Sequence, residues 1–378
     1  MKKILTVLFC LIISVSLFAQ TDVRSYGMGG YHVTDYSDVY TTLKNPASLA
    51  YAKKHSLYTN IQLDISGPLD KYVEIADAVS KEESDFDPMT VVSDIVTEQN
   101  GLNTSVRATG PLAFGFTNNG FGLLFTEDIY VDAVIPSVTM ANVNVGLKAD
   151  LAFGYGMKLD FGVNDLALGV SAKGTAKVMN VGINGSISQV FDAVENIETL
   201  PITTSLGYSI SVGAHYSFAN FLHLGVVWND VFAPTYTMAC PFYSFDEEGE
   251  LPEFSLKDAE RVIKPSSLAV GVGIKIPTGF TFGVISSWTA YVDHENVFEF
   301  FKEDNLRNPL LGLNVGTEIE LFKTILLRVG MNDSYLSAGC GLKLGVFRID
   351  AALFGSELGL EPGSKPNLNA ALSISFQK

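Results

Sequence analysis

The chain has little that would tie it together covalently and little that would carry it across a membrane as helices. Its three cysteines, Cys10, Cys240 and Cys340, are scattered over 378 residues, which excludes the dense spacing of a disulfide scaffold. Beyond the first twenty residues, no apolar run approaches the roughly 20 residues that a spanning helix needs. Charged residues make up only 17%, and 25 Lys and Arg face 41 Asp and Glu for a net charge of −16. That balance excludes the basic footprint of a nucleic-acid-binding protein. Five histidines show no metal-ligand spacing, and no nucleophile motif with an ordered base is present. Neither a metal, a cofactor nor an enzymatic step is expected.

Apolar residues are plentiful instead, at 47%, and they are dispersed among 34 Gly, 25 Phe and 15 Tyr. This composition suits strands and interfacial aromatics. The opening "MKKILTVLFCLIISVSLFAQ" joins Lys2 and Lys3 to an apolar run ending at Phe18 and a small residue, Ala19, the pattern of a secretory signal peptide. Residues 1–19 are therefore expected to be removed, leaving a mature chain from near Gln20. Cys10 lies between Phe9 and Leu11, without the small neighbour that lipidation requires. Cys240 and Cys340 remain as two thiols able to form one bridge.

Alternation is the strongest signal, because a strand sends successive side chains to opposite faces. In "NLNAALSISFQ", Leu368, Ala370, Leu372, Ile374 and Phe376 share one face, and Asn369, Ala371, Ser373, Ser375 and Gln377 the other. In "YLSAGCGLKLG", Leu336, Ala338, Cys340, Leu342 and Leu344 oppose Tyr335, Ser337, Gly339, Gly341 and Lys343. From Val143 to Phe161 the rhythm persists for about twenty residues, against a usual strand length of about five or six. One apolar and one polar face on such long strands suits a wall with lipid outside and water or a polar filling inside. In hydrocarbon the sheet must close, since an open edge leaves backbone groups unsatisfied.

The fold class expected is thus all-β, a transmembrane antiparallel β-barrel of about fourteen strands spanning residues 55–378. Candidate strands start near residues 55, 103, 121, 143, 165, 204, 221, 266, 279, 309, 324, 335, 346 and 367. Short links at 117–120, 162–165, 218–220, 277–279, 322–323 and near Gly345 alternate with long ones at 67–102, 180–203, 233–264, 292–308 and 356–366. The links at 136–142 and 332–334 are shorter, and only the second is clearly too brief for its side. Short turns belong on the periplasmic side of such barrels and long loops outside, which places both termini in the periplasm.

Residues 20–54 alternate poorly. "GMGG" (Gly27 to Gly30) permits unusual backbone turns, and Asn45-Pro46 cannot continue a sheet. Tyr26, Tyr31, Tyr36, Tyr40, Leu43, Leu49 and Tyr51 nevertheless give the segment more apolar surface than a solvated tail has. The lumen is the place available to bury it.

The order of a signal peptide, "YGMGGYHVTDYSDVYTTLKNPASLA" and about fourteen strands resembles the FadL/TodX group of outer-membrane transporters and its PorV-like and TraF-like relatives. The resemblance implies that Gly27, Gly29, Gly30, Asn45, Pro46 and Ala47 belong to an N-terminal plug, or hatch, over residues 20–54. The spacer before "NPASLA" carries Tyr and Thr where aliphatics are usual, and the chain ends "SFQK" rather than on the terminal aromatic that barrel-assembly machinery recognises in many barrels.

Helical spacing recurs in the long links, at Leu69 to Val79, at Val91, Val92, Ile95 and Val96, and at Ile187, Val190, Phe191, Val194 and Ile197. These helical extracellular loops either cap the barrel or, as the resemblance implies, present Val190, Phe191, Val194 and Ile197 as a surface that captures ligand. His215 and His223 fall nearly opposite each other on inward faces. Lys148, Asp150, Lys158, Asp160, Lys173, Lys177, Glu318, Glu320, Lys343, Arg348 and Asp350 also point inward, a mixed-sign set suited to pairing with one another or with the plug. Two functions are expected from this reading. The first is uptake across the bacterial outer membrane of hydrophobic small molecules or lipids such as long-chain fatty acids; the second is a non-transporting barrel that scaffolds secretion or envelope assembly. The partners are hydrophobic ligand, outer-membrane lipid and the barrel-assembly machinery, with no nucleic acid.

Overall fold

A computed structural model describes residues 22–52, 56–73, 87–196, 201–241, 259–301 and 307–378. The expected signal peptide, the apolar stripe beyond Val73, Ile197 and the acidic stretch "DEEGELPEF" lie outside these residues.

One antiparallel sheet closes on itself. Three wall positions hold two strand segments in tandem, so seventeen segments make fourteen wall strands. They are β1 (Ser56–Ser66), β2 (Leu102–Thr109 with Phe114–Asn118), β3 (Phe121–Ser137), β4 (Met140–Phe161), β5 (Asn164–Gly185), β6 (Pro201–Phe218) and β7 (Leu222–Phe232 with Pro234–Pro241). The wall continues through β8 (Glu260–Ile263 with Ser267–Lys275), β9 (Ile285–His294), β10 (Leu313–Leu321), β11 (Ile325–Asn332), β12 (Tyr335–Leu344), β13 (Phe347–Glu357) and β14 (Pro366–Gln377). Closure comes from β1 against β14, in register from Tyr58↔Gln377 to Ser66↔Asn369.

The two-residue rhythm sets the two faces. Along β1, Ser56, Tyr58, Asn60, Gln62, Asp64 and Ser66 are buried inside, while Leu57, Ile61 and Leu63 are exposed outside. The same division along β14 buries Asn369, Ala371, Ser373 and Ser375 and exposes Leu368, Leu372 and Ile374. Tight turns gather at one end, where residues with positive φ such as Asn119, Gly162, Asn220, Phe322 and Gly345 reverse the chain. Exposed Phe121, Phe161, Phe218, Phe221, Phe322 and Phe347 ring this turn end, as an interfacial aromatic girdle does.

Three strand starts differ by four residues or more from those expected. β8 opens at Glu260 rather than near 266, with the short added segment Glu260–Ile263. β9 begins at Ile285 rather than near 279, because Pro277 lacks a donor for the ladder and Phe282 and Gly283 take positive φ (51° and 85°). β10 begins at Leu313 rather than near 309, after a 3-10 turn Pro309–Gly312 capped by Asn308. The two short links at the loop end are genuine hairpins of residues 138–139 and 333–334. Cys340 is a free thiol, so the bridge left open by the sequence does not form there.

The wall is oblique. β3 to β6 have 17, 22, 22 and 18 residues, whereas β9 to β14 have 8 to 12. Ten extra residues carry a strand roughly 30 Å further, beyond what is needed to span hydrocarbon. On this tall side the outward face stays apolar: Ala133, Val143 and Ile183 lie side by side, continuing the parity of exposed Ile129 and Leu147. Two helices cover it, α3 (Pro88–Glu98) and α4 (Ile187–Glu195), whose Ile95, Val96, Ile187 and Val190 bury Leu102, Val131, Ala133, Ile135, Val143 and Ile183. They coat the outer wall and do not span the mouth. Asp87 caps α3, and Ser186 with Gln189 forms a capping box on α4.

Candidate functional site

The N-terminal segment runs inside the barrel through α1 (Val23–Gly27), α2 (Thr41–Lys44) and a 3-10 turn Pro46–Tyr51. Nearly every residue from Asp22 to Leu49 is buried. Its seat is built on wall glycines. Gly122, Gly154, Gly156, Gly169 and Gly213 lie beneath Thr42 to Ala50, and Gly316, Gly330 and Gly339 beneath Gly27 to Gly29. At each of these a Cβ would enter the space of the segment, often of its backbone. Gly29 itself has φ +82° and would bring a Cβ to 2.5 Å from the Met331 carbonyl oxygen.

The six residues singled out in this segment divide into two contacts. Gly27 and Gly29 pack on β10 to β12, Gly27 against Gly339 and the Arg328 side chain. Gly30 has φ +101°, and a Cβ there would meet the Asn314 and Asn332 side chains only at 3.7 Å. Asn45 holds the second contact: its Oδ1 accepts from Ala47 N (3.0 Å), and its Nδ2 donates to the carbonyls of Val33 (3.2 Å) and of Ala214 on β6 (3.3 Å). Pro46 opens the 3-10 turn at a position where a missing N–H costs nothing. Ser48 Oγ then meets His215 Nδ1 at 2.7 Å, and His215 Nε2 meets His223 Nδ1 at 3.1 Å. The two inward histidines thus form a relay behind the turn.

Charge completes the seat. Arg24 pairs with Asp35 and with Glu318 of β10, and Lys44 with Asp35 (3.1 Å) and Asp22 (3.3 Å). Arg328 of β11 bridges Glu318 (2.7 Å) and Asp350 (2.8 Å), and Arg348 of β13 also pairs with Asp350. Burial alone would raise Asp22, but Lys44 and Arg24 hold its carboxyl down to about 2. Burial opposes the charges of Arg24 and Lys44 too, yet their carboxylate partners keep both firmly protonated. Asp38 is the exception, with burial pushing it up to about 7.

His32 adds a separate tie. Its Nε2 must donate to the Met28 carbonyl (3.0 Å), since a carbonyl only accepts, so one further proton lies between Nδ1 and Asp293 Oδ2 of β9 (2.7 Å). Val33 N donates to the other oxygen of Asp293 (2.8 Å).

The wall charges that the sequence turned inward are largely paired: Lys148 with Asp150, Lys158 with Asp160 and Asp165, Lys343 with Glu320. Of the α4 residues, Val190 is buried in the outer cluster, and Phe191 and Val194 lie partly buried against it. Sequence reasoning missed Arg24, Asp35, Asp38 and Lys44, since an irregular segment has no period from which to read a facing side. It missed the glycine bed because small residues on an inward face look like any polar lining. Among the described residues no group of three or more His, Cys, Asp or Glu could hold a metal.

No family model matches the chain, and no curated protein does. Solved structures similar to it include the CymD monoaromatic hydrocarbon channel, with 12% identity, a TM-score of 0.48, and 95% of this chain and 97% of that one covered. The Ralstonia pickettii toluene transporter TbuX has 12% identity, a TM-score of 0.47 and coverage of 98% and 99%. A Pseudomonas aeruginosa FadL homologue has 10% identity, a TM-score of 0.45 and coverage of 95% and 98%.

Proposed function

We propose that the protein is a barrel of the bacterial outer membrane that takes up hydrophobic small molecules, with residues 20–54 as its plug and both termini in the periplasm. The observation that supports this most is the seat itself: a closed wall, greasy outside, whose lumen is filled by its own N-terminal segment through hydrogen bonds and ion pairs on glycines. Such polar contacts exchange with water when the segment moves, so the filling is reversible where a covalent or apolar core would not be. Long-chain fatty acids are the ligands proposed. Lys148, Lys173 and Lys177 all face inward on β4 and β5, with Lys148 and Lys177 directly paired across the strands; Asp150 holds Lys148, and the excess of lysine suits a carboxylate head. Ligand capture falls to the partly buried Phe191 and Val194 of α4, with Ile197 beyond and Val190 as their anchor. Outer-membrane lipid and the barrel-assembly machinery complete the partners.

Uptake of a labelled fatty acid by cells is the test. Cells carrying the protein should accumulate label faster than cells lacking it, and deletion of residues 22–52 should change that rate; equal rates in all three contradict uptake. A second reading, a non-transporting scaffold, is favoured by the ion-paired cluster that ties the segment to three wall strands. Equal rates would select it.

A further inference from the structure

A small polar cavity opens at the turn end between the inner segment and the wall, with Asp22, Arg24 and Asp38 on one side and Arg348, Asp350, Ser373 and Ser375 on the other. Asp38 is 8% exposed. Its Oδ1 accepts from Tyr40 N at 2.9 Å, but among the described residues nothing donates a hydrogen bond to its Oδ2. The nearest cations, Arg24 and Lys44, stand 3.7 and 3.8 Å from that oxygen, and each is held closer by Asp35.

The ion pairs join these groups into one cluster of uneven charge. Among the described residues four cations, Arg24, Lys44, Arg328 and Arg348, face five carboxylates, Asp22, Asp35, Asp38, Glu318 and Asp350. One uncompensated negative charge in a buried site is costly. The surplus falls on Asp38, the carboxylate with an unbonded oxygen at the cavity.

We infer that this cavity is a binding site for one monovalent cation, a proton or a sodium ion, held by Asp38, and that its occupancy sets how tightly residues 22–52 stay seated. Either occupant balances the cluster, a proton at four charges of each sign and a sodium ion at five. A proton makes Asp38 Oδ2 a donor. A sodium ion takes the hard oxygen ligands that line the cavity, from Asp38, Ser373, Ser375 and Gln377. The titratable and charged groups facing Asp38 are Asp22, Arg24, Asp35 and Lys44 of its own segment, Tyr58 of β1, and Arg348 and Asp350 of β13. Burial, with Asp22 and Asp35 adding to it, moves Asp38 up to about 7 against Lys44 and Arg24. A carboxyl raised in the seated state and ordinary in the released one favours seating at low pH, and that advantage is lost as pH rises through the raised value. The site concerns seating and holds whether or not the barrel transports.

The test uses the full chain with Thr42→Cys, in a background without Cys240 and Cys340. Thr42 is fully buried and its hydroxyl has no hydrogen bond among the described residues, so a thiol there reacts only when the segment leaves its seat. The measured quantity is its rate of reaction with a thiol reagent, divided by that of the denatured protein at the same pH. In choline chloride the ratio should rise by about 50-fold from about pH 5 to about pH 7 and level off above about pH 8. Asp38→Asn should stay low and flat over that range, relative to the wild type. Replacing choline by sodium at about pH 8 and constant ionic strength lowers the wild-type ratio if sodium fills the site, and leaves it unchanged if only a proton does. Ser373→Ala with Ser375→Ala should abolish the sodium effect and keep the pH effect. A wild-type ratio indifferent to both pH and sodium overturns the proposal, as does an Asp38→Asn protein with the wild-type dependence.

Discussion

Arg24 and Glu318, 294 residues apart in the chain, meet in a two-point pair inside the barrel: Arg24 Nε donates to Oε2 at 2.9 Å and Nη2 to Oε1 at 3.1 Å. The same Glu318 oxygen accepts from Arg328 at 2.7 Å. One wall carboxylate thus binds the inner segment to β10 and β11 at once.

Glu318→Gln removes the carboxylate that Arg24 and Arg328 share, leaving Arg24 to Asp35 and Arg328 to Asp350, a loss of roughly 3 kcal/mol. The inner segment should come free while the wall stays closed. Heat-modifiable gel mobility should be unchanged, and the labelling ratio of Thr42→Cys should rise about 100-fold.

The glycine bed makes a contrast within one strand. Gly169→Ala pushes a Cβ into the Pro46 and Ala47 backbone, whereas Gly174→Ala, on the same β5, meets nothing within 4 Å. The first should unseat the segment at a cost of about 1–3 kcal/mol, and the second should match the wild type in the same labelling assay.

Asn45→Ala removes three hydrogen bonds, at about 1 kcal/mol each. Asn45→Asp keeps the acceptor for Ala47 N but loses both donations by Nδ2, to Val33 and Ala214. Labelling at Thr42→Cys should therefore rank wild type below both variants.

Acid should release the segment by a different route. Asp22, depressed to about 2 by Lys44 and Arg24 against burial, contributes seating stability that is full above its ordinary value of 3.8 and is lost as pH falls toward 2. Asp35 acts in the same direction. Asp38 acts in the opposite one, so the labelling ratio should pass through a minimum near pH 4 to 5 and rise on both sides.

Val190→Asp places a charge in the cluster between α4 and the tall wall, which costs about 3 kcal/mol or more. Limited proteolysis should then cut within residues 186–196, with the barrel core intact. Resistance equal to wild type would contradict the helix-on-wall packing.

Much of the wall was legible in the sequence, because its period survives wherever one face meets grease and the other does not. "NLNAALSISFQ" falls within β14, with Leu368 outside and Asn369 inside. Boundaries failed at Pro277 and Pro309, where local turn chemistry overrode the pattern. The oblique height of β3 to β6 was hidden for another reason: Val143 and Ile183 are apolar and outward whether lipid or a helix covers them, so alternation alone does not say which. The pairing of Arg24 with Glu318 depends on closure of the whole barrel, and no local spacing announces it.

Paired nitroxide labels at Leu342 and Lys343, read in bilayers with lipid-soluble oxygen and a water-soluble nickel chelate, test the arrangement most directly. The account predicts that the label at Leu342 collides with oxygen as a lipid-facing site does, while its neighbour at Lys343, where the native side chain pairs with Glu320 at 2.9 Å, is shielded from it. Equal oxygen accessibility at the two positions would contradict a wall with a greasy outside and an enclosed polar interior.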